Sequence, residues 1–151
     1  MTATKIYLDA CCIQRPLDDQ RQDRIRLEAE ATILIISKVE KGLLVWSSSE
    51  IIDYELSLTP DLDRAKKALL IAANASEKII LGETEIVRGS ALERLGFSGY
   101  DALHIACAES GRCDFFLTTD DKLLKRAQKY AADIEVQVTN PLTWLQEVIS
   151  I

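Results

Sequence analysis

Lys5-Ile6-Tyr7-Leu8-Asp9 is a short β-rich run that ends on an acid, and its reading decides the fold. In an open parallel sheet the carboxyl ends of the strands gather at one edge. An aspartate closing the first strand therefore projects toward the crevice where α/β proteins bind ligands. Beyond it, the polar stretch Gln14 to Gln22, with Pro16, reads as a loop. From Asp23, the residues Ile25, Ala29, Ile33, Ile36 and Val39 recur at helical intervals up to Gly42, which predicts a core-facing helix with a glycine just past its end. Leu43 to Trp46 is the second predicted strand. Ser47, with Glu50 three residues on, predicts a capping box for a short helix through Leu58, and Thr59-Pro60 opens another that runs to Ala73.

The alternation continues to the end of the chain. Lys78 to Leu81 is strand-length and broken by Gly82; helical patterning covers Glu83 to Leu95 and resumes from Ser98-Gly99 to Gly111. Asp114 to Thr118 and Glu135 to Val138 are the last two predicted strands, with a helix from Asp120 to Tyr130 between them. Asn140-Pro141 places a cap and a first-turn proline before a terminal helix. Strands alternating with helices predict a doubly wound α/β architecture with a parallel sheet of five strands.

At 151 residues the chain suits one domain, 1–151, with its own core. Its 48% hydrophobic and 28% charged content is that of a globular protein and excludes a disordered one. The apolar runs are too short to span a bilayer and Met1 to Lys5 leads straight into a strand, so a cytoplasmic address without membrane association is expected. A net charge of -6 excludes broad electrostatic binding to nucleic acid, so any such contact must be local. The four cysteines, Cys11, Cys12, Cys107 and Cys113, lack Cys-x-x-Cys spacing and read as free thiols. A zinc set of His104, Cys107 and Cys113 is rejected for its irregular spacing and single histidine.

Four acids stand out. Asp9, Asp101 and Asp120 each lie where a strand or loop meets a helix. Each also has a local explanation: strand-ending punctuation for Asp9, a favourable first-turn charge for Asp101 and an N-cap for Asp120. The small residues behind Asp101, in Tyr100-Asp101-Ala102-Leu103-His104-Ile105-Ala106, let that helix pack closely. Glu50 is accounted for by its capping box. Glu55, four residues after Ile51, borders an apolar helix face and needs a partner or an ion if buried. Lys122, Lys125, Arg126 and Lys129 fall along one side of the helix after Asp120, which is a solvated face or a contact for nucleic-acid phosphates. Trp46 and Trp144 sit in apolar patterns and are expected in the core in preference to stacking on bases.

Taken in order, Ile6 to Asp9, Ser49 to Leu56, Tyr100 to Ala106 and Phe116-Leu117-Thr118-Thr119-Asp120 resemble the PIN-domain family. These are metal-dependent ribonucleases that include the VapC-like toxins of bacterial toxin-antitoxin pairs. The resemblance spans nearly the whole chain and implies a three-layer α/β/α sandwich around a central parallel sheet. It implies that Asp9, Glu55, Asp101 and Asp120 hold Mg²⁺ or Mn²⁺, with Asp121 as an alternate or auxiliary acid and Thr118 supporting the site. It further implies an RNA substrate, an antitoxin protein as partner, and a homodimer. Cys11 departs from the pattern, since a hydroxyl or amide side chain is more usual two residues after the first aspartate, and a weakly bonding thiol predicts a less firmly oriented Asp9. The Arg15 to Gln20 loop receives no role beyond a solvated one. Aspartyl-phosphate enzymes fit poorly, because Cys11 stands where their second acid belongs. A catalytically silent interaction module of the same fold is the alternative, and retention of all four acids argues against it.

Overall fold

In the computed structural model, which describes residues 3–148, the first strand, β1 (Lys5–Leu8), lies at the centre of the sheet. Its Ile6, Tyr7 and Leu8 are wholly buried, as expected of a strand covered on both faces. The other strands are β2 (Val45–Ser49), β3 (Glu77–Ile79), β4 (Phe115–Leu117) and β5 (Gln137–Thr139). All pair in parallel, in the order β3-β2-β1-β4-β5. The chain winds outward from β1 to β3 and then crosses back to β4 on the other side of β1. That reversal makes the gap beyond β1 and β4 the switch point, where α/β sheets open a crevice at their carboxyl edge. The two strand ends are joined there by a bond from Asp9 N to Leu117 O, 2.9 Å.

Among the described residues eight α-helices connect or follow the strands: α1 (Ala10–Gln14), α2 (Asp23–Glu40), α3 (Glu50–Ser57), α4 (Leu62–Ala72), α5 (Glu83–Arg94), α6 (Gly99–Ser110), α7 (Asp121–Lys129) and α8 (Pro141–Val148). Because parallel crossovers are right-handed, the change of winding direction puts α2 and α4 on one face of the sheet and α5 and α6 on the other. The result is a three-layer α/β/α sandwich. Trp46 and Trp144 are both in the core, as their apolar surroundings predict.

Four local expectations are corrected. Between β1 and the expected loop the chain forms α1, because the Asp9 carboxylate accepts from Ala10 N and caps it, and the expected loop itself contains a 3-10 turn (Arg15–Leu17). The second strand does not stop at Trp46; Ser47, Ser48 and Ser49 continue it, buried and paired with Glu77 to Ile79. The capping box on Ser47 is therefore absent. Ser49 is the cap, accepting from Ile52 N at 3.2 Å, and Glu50 reaches across to accept from Leu81 N at 2.9 Å. Finally, the buried stripe of α2 is rotated: Ile33 is exposed, while Glu28, Thr32 and Ile35 face inward with Ala29. Glu28 tolerates burial because Arg15 Nε (2.9 Å), Arg24 Nε (3.2 Å) and Asn140 Nδ2 (2.6 Å) meet its two oxygens.

Candidate metal centre

At the carboxyl end of β1, Asp9 is buried between backbone and side-chain donors. Its Oδ1 accepts from Ala10 N at 2.8 Å, and its Oδ2 accepts from Thr118 Oγ1 at 2.7 Å. Burial pushes the Asp9 carboxyl above its ordinary range, while His104 and the Thr118 hydroxyl pull it back down. Thr118 also accepts from Asp120 N at 3.1 Å, so one hydroxyl links the ends of β1 and β4. The thiol of Cys11 does not leave Asp9 loose. Sγ stands 3.4 Å from both Asp9 Oδ2 and Thr118 Oγ1, and Thr119 N points at it from 3.3 Å. These interactions are long but convergent, which corrects the expectation of a poorly oriented first aspartate.

Glu55, on α3, turns its Oε1 toward His104 Nε2 at 2.7 Å. His104 lies three residues after Asp101, on the same side of α6, and is completely buried. Its Nδ1 meets the Tyr7 hydroxyl at 2.7 Å, and that hydroxyl meets Ser49 Oγ at 2.6 Å. Tyr7 precedes Asp9 by two residues and so shares its face of the strand. One ligand atom from each of Asp9, Glu55 and His104 falls within 4.8 Å of the others, a spacing suited to a metal ion. Sequence reasoning does not place His104, Tyr7 or Ser49 in this site. The spacing of His104 from Asp101 and of Tyr7 from Asp9 is the signal that could find the first two.

Asp101 begins α6 with its backbone N–H bonded to the Ser98 hydroxyl at 3.3 Å. Burial, with the neighbouring Asp9 and Asp120 carboxylates, pushes its carboxyl up to about 6. Asp120 caps α7, its Oδ1 accepting from Lys122 N (2.9 Å) and Leu123 N (3.3 Å). Asp101 and Asp120 line one wall of a cleft of about 610 Å³, and Lys122, Lys125, Arg126 and Lys129 line it as well. Arg126 is tied into the fold, donating to Leu95 O at 3.2 Å and covering Gly96. That glycine adopts φ +99, and a side chain there would collide with the guanidinium. Tyr54 and Tyr100, each adjacent in sequence to one of the acids, are exposed with rings 6.4 Å apart.

Asp121 is not brought together with these acids. It forms a two-pronged ion pair with Arg24, 2.8 Å on each arm, and that bond holds its carboxyl below the ordinary range. Asp18 is likewise taken by Arg15 and Arg64, and Asp19 by Arg21, so the Arg15 to Gln20 loop is pinned by ion pairs. All four cysteines are free, and burial pushes Cys107 and Cys113 up to about 12, where they stay protonated and are poor metal ligands.

A scan against protein-family models finds no match, and no curated protein matches the sequence. Twelve solved chains do match the fold. FitAcB from Neisseria gonorrhoeae superposes with a TM-score of 0.53 at 18% identity, covering 90% of this chain and 97% of that one. VapBC2 from Rickettsia felis, bound to a DNA fragment from their promoter, gives a TM-score of 0.54 at 15% identity over 91% of this chain and 98% of that one. What is shared is the fold. The parallel sheet with helices on both faces is the PIN-like sandwich, and the site chemistry must be argued from this chain's own residues. Those residues fit a hard divalent cation. Among the described residues no lysine or arginine pairs with Asp9, Glu55, Asp101 or Asp120, and oxygen donors of this kind suit Mg²⁺ or Mn²⁺.

Proposed function

We propose that this chain is a Mg²⁺- or Mn²⁺-dependent endoribonuclease that hydrolyses RNA phosphodiester bonds, and that it is the toxin of a type II toxin-antitoxin pair. The observation that carries this reading is the close group of Asp9, Glu55 and His104 at the switch point, beside a cleft lined by Asp101, Asp120 and cationic side chains. Asp9, Glu55, Asp101 and Asp120 would hold the cation, while Asp121, engaged by Arg24, stands outside the set. When bound, such an ion lowers the pKa of water and offsets charge developing on the phosphate. Thr118 and Cys11 keep Asp9 aimed at the crevice. Lys122, Lys125 and Lys129 would bind phosphates flanking the scissile one, and no side chain need act as the nucleophile.

The motifs that resemble VapC-like toxins, together with a fold shared with VapBC2, support an antitoxin as protein partner and a homodimer as the working form. No described helix is long and apolar enough to cross a membrane, and a cytoplasmic address suits an RNA substrate. The test is cleavage of a labelled single-stranded RNA by the purified chain with Mg²⁺, with Mn²⁺ and with EDTA, in parallel with Asp101→Asn. Cleavage that needs the cation and is lost in the variant is expected. RNA left intact under all conditions, with no growth arrest on expression, would instead favour the silent interaction module.

A further inference from the structure

We propose that the hydrogen-bonded chain Ser49–Tyr7–His104 fixes the Glu55 carboxylate for the cation, with His104 acting as a positioning residue and not as a metal ligand. This inference rests on the metal-site reading above.

The direction of the chain follows from its ends. Ser49 Oγ already accepts from Ile52 N, so its hydroxyl hydrogen is free to be donated to the Tyr7 oxygen 2.6 Å away. Tyr7 then gives its one proton to His104 Nδ1 at 2.7 Å. With Nδ1 accepting, the ring proton of His104 must sit on Nε2, where it is donated to Glu55 Oε1 at 2.7 Å. Every donor and acceptor in the chain is used once. Run the other way, the chain would place a bare Nε2 lone pair against an ionised carboxylate, which is repulsive.

The same geometry argues against His104 as a ligand. Its Nε2 carries a proton in this arrangement and has no lone pair to offer. Two donors on one cation, each about 2.1 Å from it, lie about 3 Å apart. The 2.7 Å separation between Nε2 and Oε1 is a hydrogen bond in its own right. Nor can the imidazole easily swing away, because it is wholly buried with the Tyr7 ring 5.7 Å and the Phe116 ring 6.4 Å from its centre. Glu55 needs such a brace. It is the longest of the four acidic side chains, lies on a helix, and has a partly exposed carboxylate, whereas Asp9 and Asp120 are held by backbone donors. The usual arrangement, in which a carboxylate orients a metal-bound histidine, is inverted here.

The experiment compares tag-free full chains by Mn²⁺ calorimetry, RNA cleavage kinetics and pulsed EPR of the Mn²⁺ complex. His104 is the sole histidine, so any signal from a coordinated imidazole nitrogen must be its own. His104→Phe, which keeps a ring but no donor, should weaken Mn²⁺ binding by roughly 10- to 100-fold. His104→Gln, whose amide can still donate to Glu55, should restore it to within a few-fold. Tyr7→Phe should lower kcat by about 3- to 10-fold, as expected for one missing hydrogen bond, with the KM for RNA unchanged. EPR should show no directly bound nitrogen. A bound-nitrogen signal, or equal weakening in the Gln and Phe variants, overturns the inference. So does wild-type behaviour of His104→Phe while Glu55→Gln loses affinity, a result that leaves the metal-site reading intact. If the wild-type chain binds no Mn²⁺, or Glu55→Gln binds it normally, the assigned ligand set fails and this inference with it. Should His104→Phe not fold, Tyr7→Phe and the EPR spectrum decide the matter.

Discussion

Asp120 and Asp121 are neighbours in sequence, yet the fold treats them in opposite ways. Asp121 lies in a two-pronged pair with Arg24, which also bonds Glu28, and Glu28 in turn holds Arg15, which holds Asp18. Asp120 faces the cleft with Asp101, close to Asp9 and without an arginine or lysine partner among the described residues. One group of acids is neutralised by the protein itself and needs nothing more. The other keeps like charges close together, partly buried, a state that becomes favourable only when a cation arrives. Under the proposed function, the contrast separates acids that build the molecule from acids that would serve a cation.

The comparison breaks most sharply at Asp101. Asp101→Asn, nearly isosteric, should reduce metal-dependent cleavage by roughly 100-fold or more, because several kcal/mol of cation-mediated stabilisation is removed, while the thermal midpoint of the metal-free chain holds or rises. Unimpaired cleavage would remove Asp101 from the site. Glu28→Ala should do the reverse. Stripping the buried partner from two arginines should cost about 3 kcal/mol in urea unfolding, and activity per folded molecule should persist. Two glutamates on α3 sharpen the contrast further. Glu55→Gln should lower turnover by about 10-fold or more, whereas Glu50→Gln, which retains an oxygen to accept from Leu81 N, should stay within about twofold of wild type. An inverted ranking would place the ligand at Glu50.

Acidity offers a milder probe. Asp9 and Asp101 bind their protons more tightly in the folded chain than in the unfolded one, so without metal the contribution of Asp101 is present at low pH and is lost as pH rises from about 4 through about 6, and Asp9 acts in the same direction. Asp121 and Glu77, held down by Arg24 and Lys5, act in the opposite sense, but below about pH 4.5. The melting temperature of the EDTA-treated chain should therefore fall between pH 4 and 6, less so in Asp101→Asn, and Mn²⁺ should reverse the fall. A flat profile in EDTA would contradict it. The smallest effect concerns the cationic wall. Reversing the charge of Lys122 and Lys125, which do not brace the fold as Arg126 does, should weaken RNA binding and reduce the log-log salt slope by about 0.7 for each phosphate no longer neutralised. An unchanged slope would make this face merely solvated.

What the sequence determined by itself was local and periodic. The β-run ending on Asp9, the helices framed by Ser98, Asp120 and Asn140, and the alternation that makes the sheet parallel all depend on neighbours a few residues away, so they could be read without knowing what packs where. The tertiary structure decided the rest. Ser47 to Ser49 look like turn residues and become a strand because β3 pairs with them and Tyr7 and Glu77 take up two of their hydroxyls. Glu28 is buried because distant Asn140 and the nearby arginines satisfy it. Asp121 is diverted by Arg24, 97 positions away, and His104 joins Tyr7 and Glu55 only once β1, α3 and α6 have met. Charge and hydrogen-bond compensation act through space at a few ångströms, regardless of separation along the chain, and local patterning carries no record of which distant donor will arrive.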